Sequence, residues 1–410
     1  MENNFSKCRV CNNNVSVTID FGLMPIANNL LYKNSKVKNE YKFHMQTAAC
    51  NKCGCFQVVS VPNKDLMFND SYKYFASQSK SMTQHFNALG DSIIQNFISD
   101  KTDYILDIGS NDGIFLKNFV DKNINHLGID ASENVVNASR SKGVEAICGF
   151  FNKDLCKSII EKKGKAKIII STNTMHHIEN CHEVLEGMDL LLSDNGIIIL
   201  EDPYLPDMLE LGSFEQIYAE HNFIWCCKSY QTLFKKYSLY LNKVEHYPIH
   251  GGSMRYFFSR NNVQEESVKK YLELEEKIKV SNDLTYENFK NKSINICNNL
   301  KNFLIEKKNE GKRICGYGAT AKSTTLLNFA EINTSLIDCI YDSTPAKIDK
   351  LTPGTHIPIK DASTFHLEKF DYTIIFAWNL KDEIINKEKQ KGAKTIWVEY
   401  VPEVKLSDAN

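Results

Sequence analysis

Ile105-Leu-Asp-Ile-Gly-Ser-Asn-Asp-Gly-Ile-Phe-Leu116 reads as a buried apolar strand, a turn of small and polar residues, and the start of a helix. Gly109 and Gly113 let the backbone turn sharply and come close to a ligand. Asp107 stands at the strand's end, where open α/β sheets collect their ligands. Further on, His126-Leu-Gly-Ile-Asp130 reads as a second strand that also ends in an acid. An acid at that spacing accepts two hydrogen bonds from a ribose diol. The pair predicts the first βαβ unit of a nucleoside-binding sheet.

Two cofactor classes use such a unit. A dinucleotide turn wants G-x-G-x-x-G, so that a pyrophosphate rests on a helix N-terminus. Here the run is Asp107-x-Gly109-x-x-x-Gly113, with an acid before the first glycine. That carboxylate repels a pyrophosphate and suits a ligand with a sulfonium and an amino group, S-adenosylmethionine. The pattern resembles motif I of class I methyltransferases, and Gly-Ile-Asp130 resembles their motif II. The competing reading is an ordinary strand-to-helix turn. Asp107, Gly109, Asn111, Gly113, Asp130 and Asn173 are the candidate cofactor-binding residues.

Bulk properties narrow the class. At 410 residues the chain exceeds one ordinary core, and two or three domains are expected. With 49 basic against 50 acidic residues, neither a nucleic-acid footprint nor a membrane-surface charge is implied. No run of apolar residues is long enough for a membrane span, and Met-Glu-Asn-Asn-Phe-Ser-Lys7 lacks a signal-peptide core. The 13 cysteines, with no export signal, predict reduced thiols in a cytoplasm and metal binding wherever they cluster.

Residues 71–100 carry Met82, Phe86, Leu89, Ile93, Ile94 and Phe97 at helical spacing. From Tyr104 to about residue 247, strands and helices alternate. The strands are expected at Ile105–Ile108, His126–Ile129, Ala146–Cys148, Lys167–Ser171 and Gly196–Glu201, with helices at Ile114–Asp121, Glu133–Ser141 and Val184–Leu192. The alternation predicts a mostly parallel sheet covered on both faces. Residues 262–310 read as long amphipathic helices, best taken as a connector. A second α/β pattern opens at Arg313-Ile-Cys-Gly-Tyr-Gly-Ala-Thr-Ala-Lys322, with strands expected at Ser335–Tyr341, Asp371–Ala377 and Thr395–Glu399. The expected fold is α/β in three parts: a head over 1–70, a Rossmann-like domain over 71–250, and a second Rossmann-like domain over 251–410.

Cys8-Arg-Val-Cys11 and Cys50-Asn-Lys-Cys53 form a C-x2-C … C-x2-C quartet. Four thiolates in two tight knuckles wrap a tetrahedral zinc, and with no ligand position left for water the site is structural. A small head has little core of its own, so metal binding supplies its folding energy. A nucleic-acid-binding ribbon ranks below this, because the head lacks a basic stripe. Cys55 is close enough to compete as a ligand.

Asn173-Thr-Met-His-His-Ile178 follows the fourth strand, which puts His176 and His177 at a catalytic edge. One of the two could instead be a satisfied core histidine. Tyr218-Ala-Glu-His221 crowds three titratable groups together; if helical, Tyr218 and His221 share one face. An imidazole beside a phenol and a carboxylate is what abstraction of a weakly acidic C–H proton requires. His250-Gly-Gly-Ser-Met-Arg255 is a further small-residue loop with a charge. Gly316-Tyr317-Gly318-Ala-Thr-Ala-Lys322 offers amide groups and a lysine suited to a phosphate, unless it is a plain packing turn. His250, Gly251, Tyr317 and Lys322 are the candidate substrate-binding residues.

In this order the pieces resemble the sugar C-methyltransferases of deoxysugar pathways. The resemblance spans nearly the whole chain. It takes in the cysteine quartet, Asp65–Tyr74, Ser81-Met-Thr-Gln-His-Phe86, Asp107–Leu116 and Glu201-Asp-Pro-Tyr204. It goes on through Tyr218–His221, His250-Gly-Gly252, Gly316–Lys322, Leu351–Pro358 and Ala377-Trp-Asn379. It implies a zinc head, a central S-adenosylmethionine domain and a C-terminal Rossmann-like domain.

The implied substrate is a nucleotide-linked 4-keto-6-deoxysugar, usually on dTDP, methylated at C3. A base removes the acidified C3 proton, and the enolate takes the methyl group. By that analogy His221 is the base, with Tyr218 and Glu220 beside it. His177 and Tyr72, or the neighbouring Tyr74, hold the keto oxygen or the hexose. Phe75-Ala76 stands where the family has His-Ser after Tyr-x-Tyr, so the family's particular sugar does not carry over. O- or N-methylation of a related sugar is the rival activity, and a non-catalytic zinc-headed binding protein is a third reading. A monomer or weak homo-oligomer with no membrane or nucleic-acid partner is expected.

Overall fold

The structure is a computed structural model that describes residues 3–33, 40–63, 66–67, 75–100 and 102–407. Tyr72 and Tyr74 lie outside the described residues.

The motif strand, Tyr104–Ile108, is buried at every position and lies near the middle of a seven-stranded sheet. Numbered in chain order within that sheet, the strands run 3-2-1-4-5-7-6. They are Tyr104–Ile108, Asn125–Asp130, Ala146–Cys148, Ala166–Thr172, Leu192–Pro203, Tyr240–Tyr247 and Ser253–Ser259. Parallel pairing joins the first five. Ser253–Ser259 runs antiparallel to both its neighbours. The strand order reverses between Tyr104–Ile108 and Ala166–Thr172, and beyond their carboxyl ends is where such a sheet takes its ligand. Asp107 and Asn173 are delivered there.

One face of this sheet is closed by the helix Lys80–Phe97. Ser79 caps it by accepting from the Met82 amide. Met82, Phe86, Leu89 and Ile93 then fall on one stripe and pack with Ile105, Phe115 and Phe119. Phe86 is 4 % exposed, so truncation to Ala would cost about 3–5 kcal/mol.

Two expectations are corrected here. The helix expected at Ile114–Asp121 is only Lys117–Val120, because the chain through residue 116 is spent on turns. The helix Lys153–Lys163 was not anticipated. Its polar surface leaves only Cys156 and Ile159 buried, too few to announce a period.

The second α/β unit has six strands in chain-order sequence 3-2-1-4-5-6: Ile314–Tyr317, Ile340–Asp342, Ile359–Asp361, Tyr372–Ile375, Ile396–Glu399 and Lys405–Ser407. Of the strand expected at Ser335–Tyr341 only the end forms, at Ile340–Asp342. Asn333 takes the preceding backbone into a turn, its carbonyl accepting from the Leu336 and Ile337 amides and its Oδ1 from the Ser335 amide. Two helices, Glu266–Ile278 and Asp283–Asn309, precede this unit.

The head is tied into the rest of the chain. Val17–Pro25, Lys42–Ala49 and Phe56–Val58 form an antiparallel sheet whose fourth strand, Phe223–Ile224, comes from just beyond His221. Leu31–Tyr32 pairs with Lys350–Leu351 of the second α/β unit.

Candidate active site

At the motif turn, Gly109 has φ +78°, and a Cβ there would meet Thr174 Oγ1 at 2.1 Å. Only glycine fits. Asn111 and Asn173 also adopt positive φ, which asparagine tolerates among L residues. Asp130 receives the Ser132 amide on Oδ1 at 3.0 Å and the Asn111 amide on Oδ2 at 2.9 Å, which fixes its carboxylate over the loop.

Asp107 is 3 % exposed, and among the described residues no group donates a hydrogen bond to it. Burial, and then the charge of Asp130, push its carboxyl up to about 8. A buried acid without a donor among the described residues, beside a glycine cradle and a second fixed acid, fits a cationic nucleoside ligand. S-adenosylmethionine is such a ligand.

The imidazoles of His176, His177 and His221 gather at this edge, with ring centroids 4.2, 4.3 and 4.9 Å apart. The Nδ1–H of His221 donates to the Gln216 carbonyl at 2.7 Å, and that of His177 to the Glu220 carbonyl at 2.8 Å. His176 Nδ1 lies 2.6 Å from Asp202 Oδ1, and the Tyr230 hydroxyl holds the other oxygen at 2.6 Å. A carbonyl oxygen only accepts, so in His221 and His177 the proton is on Nδ1 and Nε2 carries the lone pair. Burial holds His176 and His177 down at about 3, and burial together with those two neighbours holds His221 well below its usual range. The cluster is therefore neutral at physiological pH, with its lone pairs unprotonated.

The helical reading of Tyr218–His221 is corrected. Phe214–Gln216 is one short turn, and the chain then bends so that the His221 amide donates to the Tyr218 carbonyl at 2.9 Å. The bend still brings the Tyr218 ring within 3.7 Å of the His221 ring. Glu220 turns away from His221 toward the head. Asn28 donates to its Oε1 at 2.9 Å, while Oε2 is buried with no partner among the described residues. Burial raises this carboxyl.

The facing wall comes from the second α/β unit. Lys322 donates from Nζ to the His250 carbonyl at 3.1 Å and lies 5.0 Å over the Trp378 ring. Trp378 in turn donates to Glu215 Oε1 at 2.8 Å. Gly251 has φ +93°, and a Cβ there would strike Trp378 at 2.3 Å, so the loop and the indole meet only through glycine. Burial lowers the Lys322 ammonium, whose charge is felt by both His221 and His250.

Tyr317 is not part of this wall. Its ring packs against Phe365 and Trp397 in the core, and its hydroxyl donates to Glu388 at 2.9 Å. Strand alternation commits that side chain to the helix-covered face.

Several groups that matter here had no sequence signal of their own: the Gln216 carbonyl, Asn28 and Glu215; Asp202 lay in a quoted motif but was given no role. Glu201 binds His85 at 2.7 Å and Arg255 at 2.8 Å, joining three of the quoted motifs into one buried network.

In the head, Cys8 Sγ is 3.6 Å from Cys53 Sγ, and Cys11 Sγ is 3.5 Å from Cys50 Sγ. A tetrahedral zinc with bonds of about 2.3 Å sets sulfurs about 3.8 Å apart. All four ligand atoms lie within 4.8 Å of one another, and Cys55 is not among them. The two knuckles fold alike: the Asn12 amide donates to the Cys8 carbonyl and the Gly54 amide to the Cys50 carbonyl, each at 2.8 Å.

Comparison with known proteins agrees with this architecture. Three family models tile the chain: a zinc binding domain over residues 8–68, a methyltransferase domain over 82–244, and a C-methyltransferase C-terminal domain over 248–402. The C-methyltransferase NovU of Streptomyces niveus is 29 % identical over 94 % of this chain and 92 % of its own. Solved structures that align with part of the chain include the magnesium protoporphyrin IX methyltransferase of Synechocystis (12 % identity, 44 % of this chain, 83 % of that one, TM-score 0.35). A SAM-dependent methyltransferase from Archaeoglobus fulgidus is another (17 %, 41 %, 73 %, TM-score 0.35). Among the described residues no helix is long and apolar enough to cross a membrane. The chain is similar over nearly its whole length to a C-methyltransferase, and it is an S-adenosylmethionine-dependent C-methyltransferase with a structural zinc in its head.

Proposed function

We propose that the chain methylates C3 of a nucleotide-linked 4-keto-deoxysugar through an enolate, dTDP being the nucleotide that the resemblance implies. One observation carries this reading: the His221 Nδ1–H is anchored on the Gln216 carbonyl in a cluster kept neutral by burial. That leaves Nε2 as a base with its lone pair directed away from the anchor. The ketone acidifies the neighbouring C–H, and Nε2 accepts that proton. Tyr218, its ring stacked beside His221, is the donor to the oxygen on which negative charge develops, and His177, whose Nε2 only accepts, would hold a hydroxyl of the hexose. When bound, S-adenosylmethionine supplies a methyl group on a sulfonium, an electrophile for the carbanion.

Asp107 and Asp130 would hold that cofactor by its ammonium and its ribose. Lys322 would hold the diphosphate across the cleft from the imidazoles, with His250 and Gly251 shaping the loop. Tyr72 and Tyr74 remain candidates for the hexose.

The test uses a panel of nucleotide 4-ketosugars. With S-adenosylhomocysteine bound in D2O, the wild-type protein should wash the C3 proton into solvent, and His221→Asn should not. With S-adenosylmethionine, mass spectrometry should find the new methyl on carbon. A methyl on oxygen or nitrogen, or turnover that survives His221→Asn, overturns the proposal.

A further inference from the structure

Arg9 lies inside the first zinc knuckle, between Cys8 and Cys11, yet its side chain reaches across the head to the segment after His221. Nη1 donates to Asn222 Oδ1 at 2.9 Å and to the Glu179 carbonyl at 3.5 Å. Nη2 donates to the Asn222 carbonyl at 2.8 Å and to the Val58 carbonyl at 2.7 Å. Nε donates to Gln57 Oε1 at 3.2 Å. These contacts use every N–H of the guanidinium, a planar fork with little freedom once filled. The rings of Phe5 and Phe223 sandwich it, at 4.6 and 4.1 Å.

The acceptors are not arbitrary. Asn222 follows His221 directly, and its Nδ2 donates to the His177 carbonyl at 2.8 Å. Asn222 therefore touches both imidazole-bearing segments, and Arg9 grips it at side chain and backbone. The mount itself is held from the other side too: the Cys181 thiol contacts the Arg9 carbonyl at 3.7 Å, and Lys236 donates to the Val10 carbonyl at 2.6 Å.

We infer that Arg9 is a positioning residue for the active site. The zinc knuckle fixes its backbone, the guanidinium fixes Asn222, and Asn222 sets the segments that aim His221 and His177. The zinc head thereby orients the base rather than only stabilising its own fold. This rests on the reading of His221 as the base for its kinetic consequence, though not for its structural one.

The test uses full-length, zinc-loaded protein with Arg9→Met, Arg9→Lys and Asn222→Ala, the last leaving the knuckle untouched. Zinc content and S-adenosylhomocysteine affinity should stay near wild type, while kcat falls by roughly 10- to 100-fold with KM little changed, the cost of a misaimed catalytic group. The imidazole ¹⁵N signals of His221 and His177 should broaden or shift in all three variants, a readout that does not depend on which reaction is catalysed. Unchanged imidazole signals and kcat in zinc-loaded Arg9→Met overturn the inference. If Arg9 variants lose zinc or fail to fold, Asn222→Ala decides: loss of kcat with altered signals upholds it, and wild-type behaviour sinks it. Survival of turnover in His221→Asn would remove the proposed reaction while leaving the spectroscopic result standing.

Discussion

His221 Nδ1 and the Gln216 carbonyl oxygen lie 2.7 Å apart, which decides the tautomer of the central imidazole. Because the carbonyl has no proton to give, the ring presents a bare Nε2. Burial makes the imidazolium form costly, so protonating this ring takes a lower pH than protonating free histidine. With S-adenosylmethionine saturating, the acid limb of the kcat/KM profile for the sugar should accordingly fall below about 6.5, the ordinary histidine value. Activity should hold level on descending toward that value and then drop. An acid limb centred above 6.5 would remove His221 as the base.

Asp107 predicts a proton-linked cofactor affinity. Its carboxyl, raised to about 8, is partly protonated at neutral pH in the free protein. A bound ammonium favours the carboxylate, so binding should release a proton, and affinity should weaken as pH falls below 8. Calorimetry of S-adenosylhomocysteine binding in buffers of different ionisation enthalpy measures the proton directly. Proton uptake, or none, would contradict the assignment.

Asp130→Ala should weaken cofactor binding by about 1.5–3 kcal/mol, the range for charge-assisted hydrogen bonds. Asp130 also orders the loop through the Asn111 and Ser132 amides, so some of that loss belongs to the loop. Asp130→Asn, which keeps an acceptor, should lose less; equal losses from both variants would mean that charge dominates.

Metal analysis should find one zinc per chain. Cys8→Ser should lose it and lower the thermal midpoint, because metal binding to such a head is folding free energy. Two equivalents of metal would place a second ion on His176, His177 and His221, whose ligand atoms also lie within 4.8 Å of one another. That outcome would take the lone pair of His221 out of proton transfer.

Lys322→Met should raise KM for the nucleotide sugar by roughly 10- to 100-fold, corresponding to about 1.5–3 kcal/mol for a lost charged hydrogen bond. Trp378→Phe keeps the ring beneath the ammonium but loses the donor to Glu215, so it should cost less in KM than Lys322→Met. An unchanged KM in Lys322→Met would place the diphosphate elsewhere.

Much of this protein could be read along the chain. The strand-turn-helix around Asp107, the acid at Asp130 and the paired cysteines are local patterns, in which a few consecutive residues carry both the backbone preference and the chemistry. Boundaries suffered where the period was weak, as in Lys153–Lys163, or where turns consumed expected helix, as after Gly113. Tyr317 misled because its motif neighbours line the cleft while its own side chain is turned into the core.

The amino-acid sequence by itself determined the doubly wound units, the metal quartet and which imidazoles and carboxylates were available for chemistry. Tertiary structure alone decided how they act together. The Gln216 carbonyl that sets a tautomer is a backbone group with no signature in the side-chain alphabet. Asn28 reaching Glu220, Arg9 reaching Asn222 and Trp378 reaching Glu215 join residues far apart in the chain. Such contacts exist only once the three sheets close on one another, because a hydrogen bond depends on distance and direction in space rather than on spacing along the backbone.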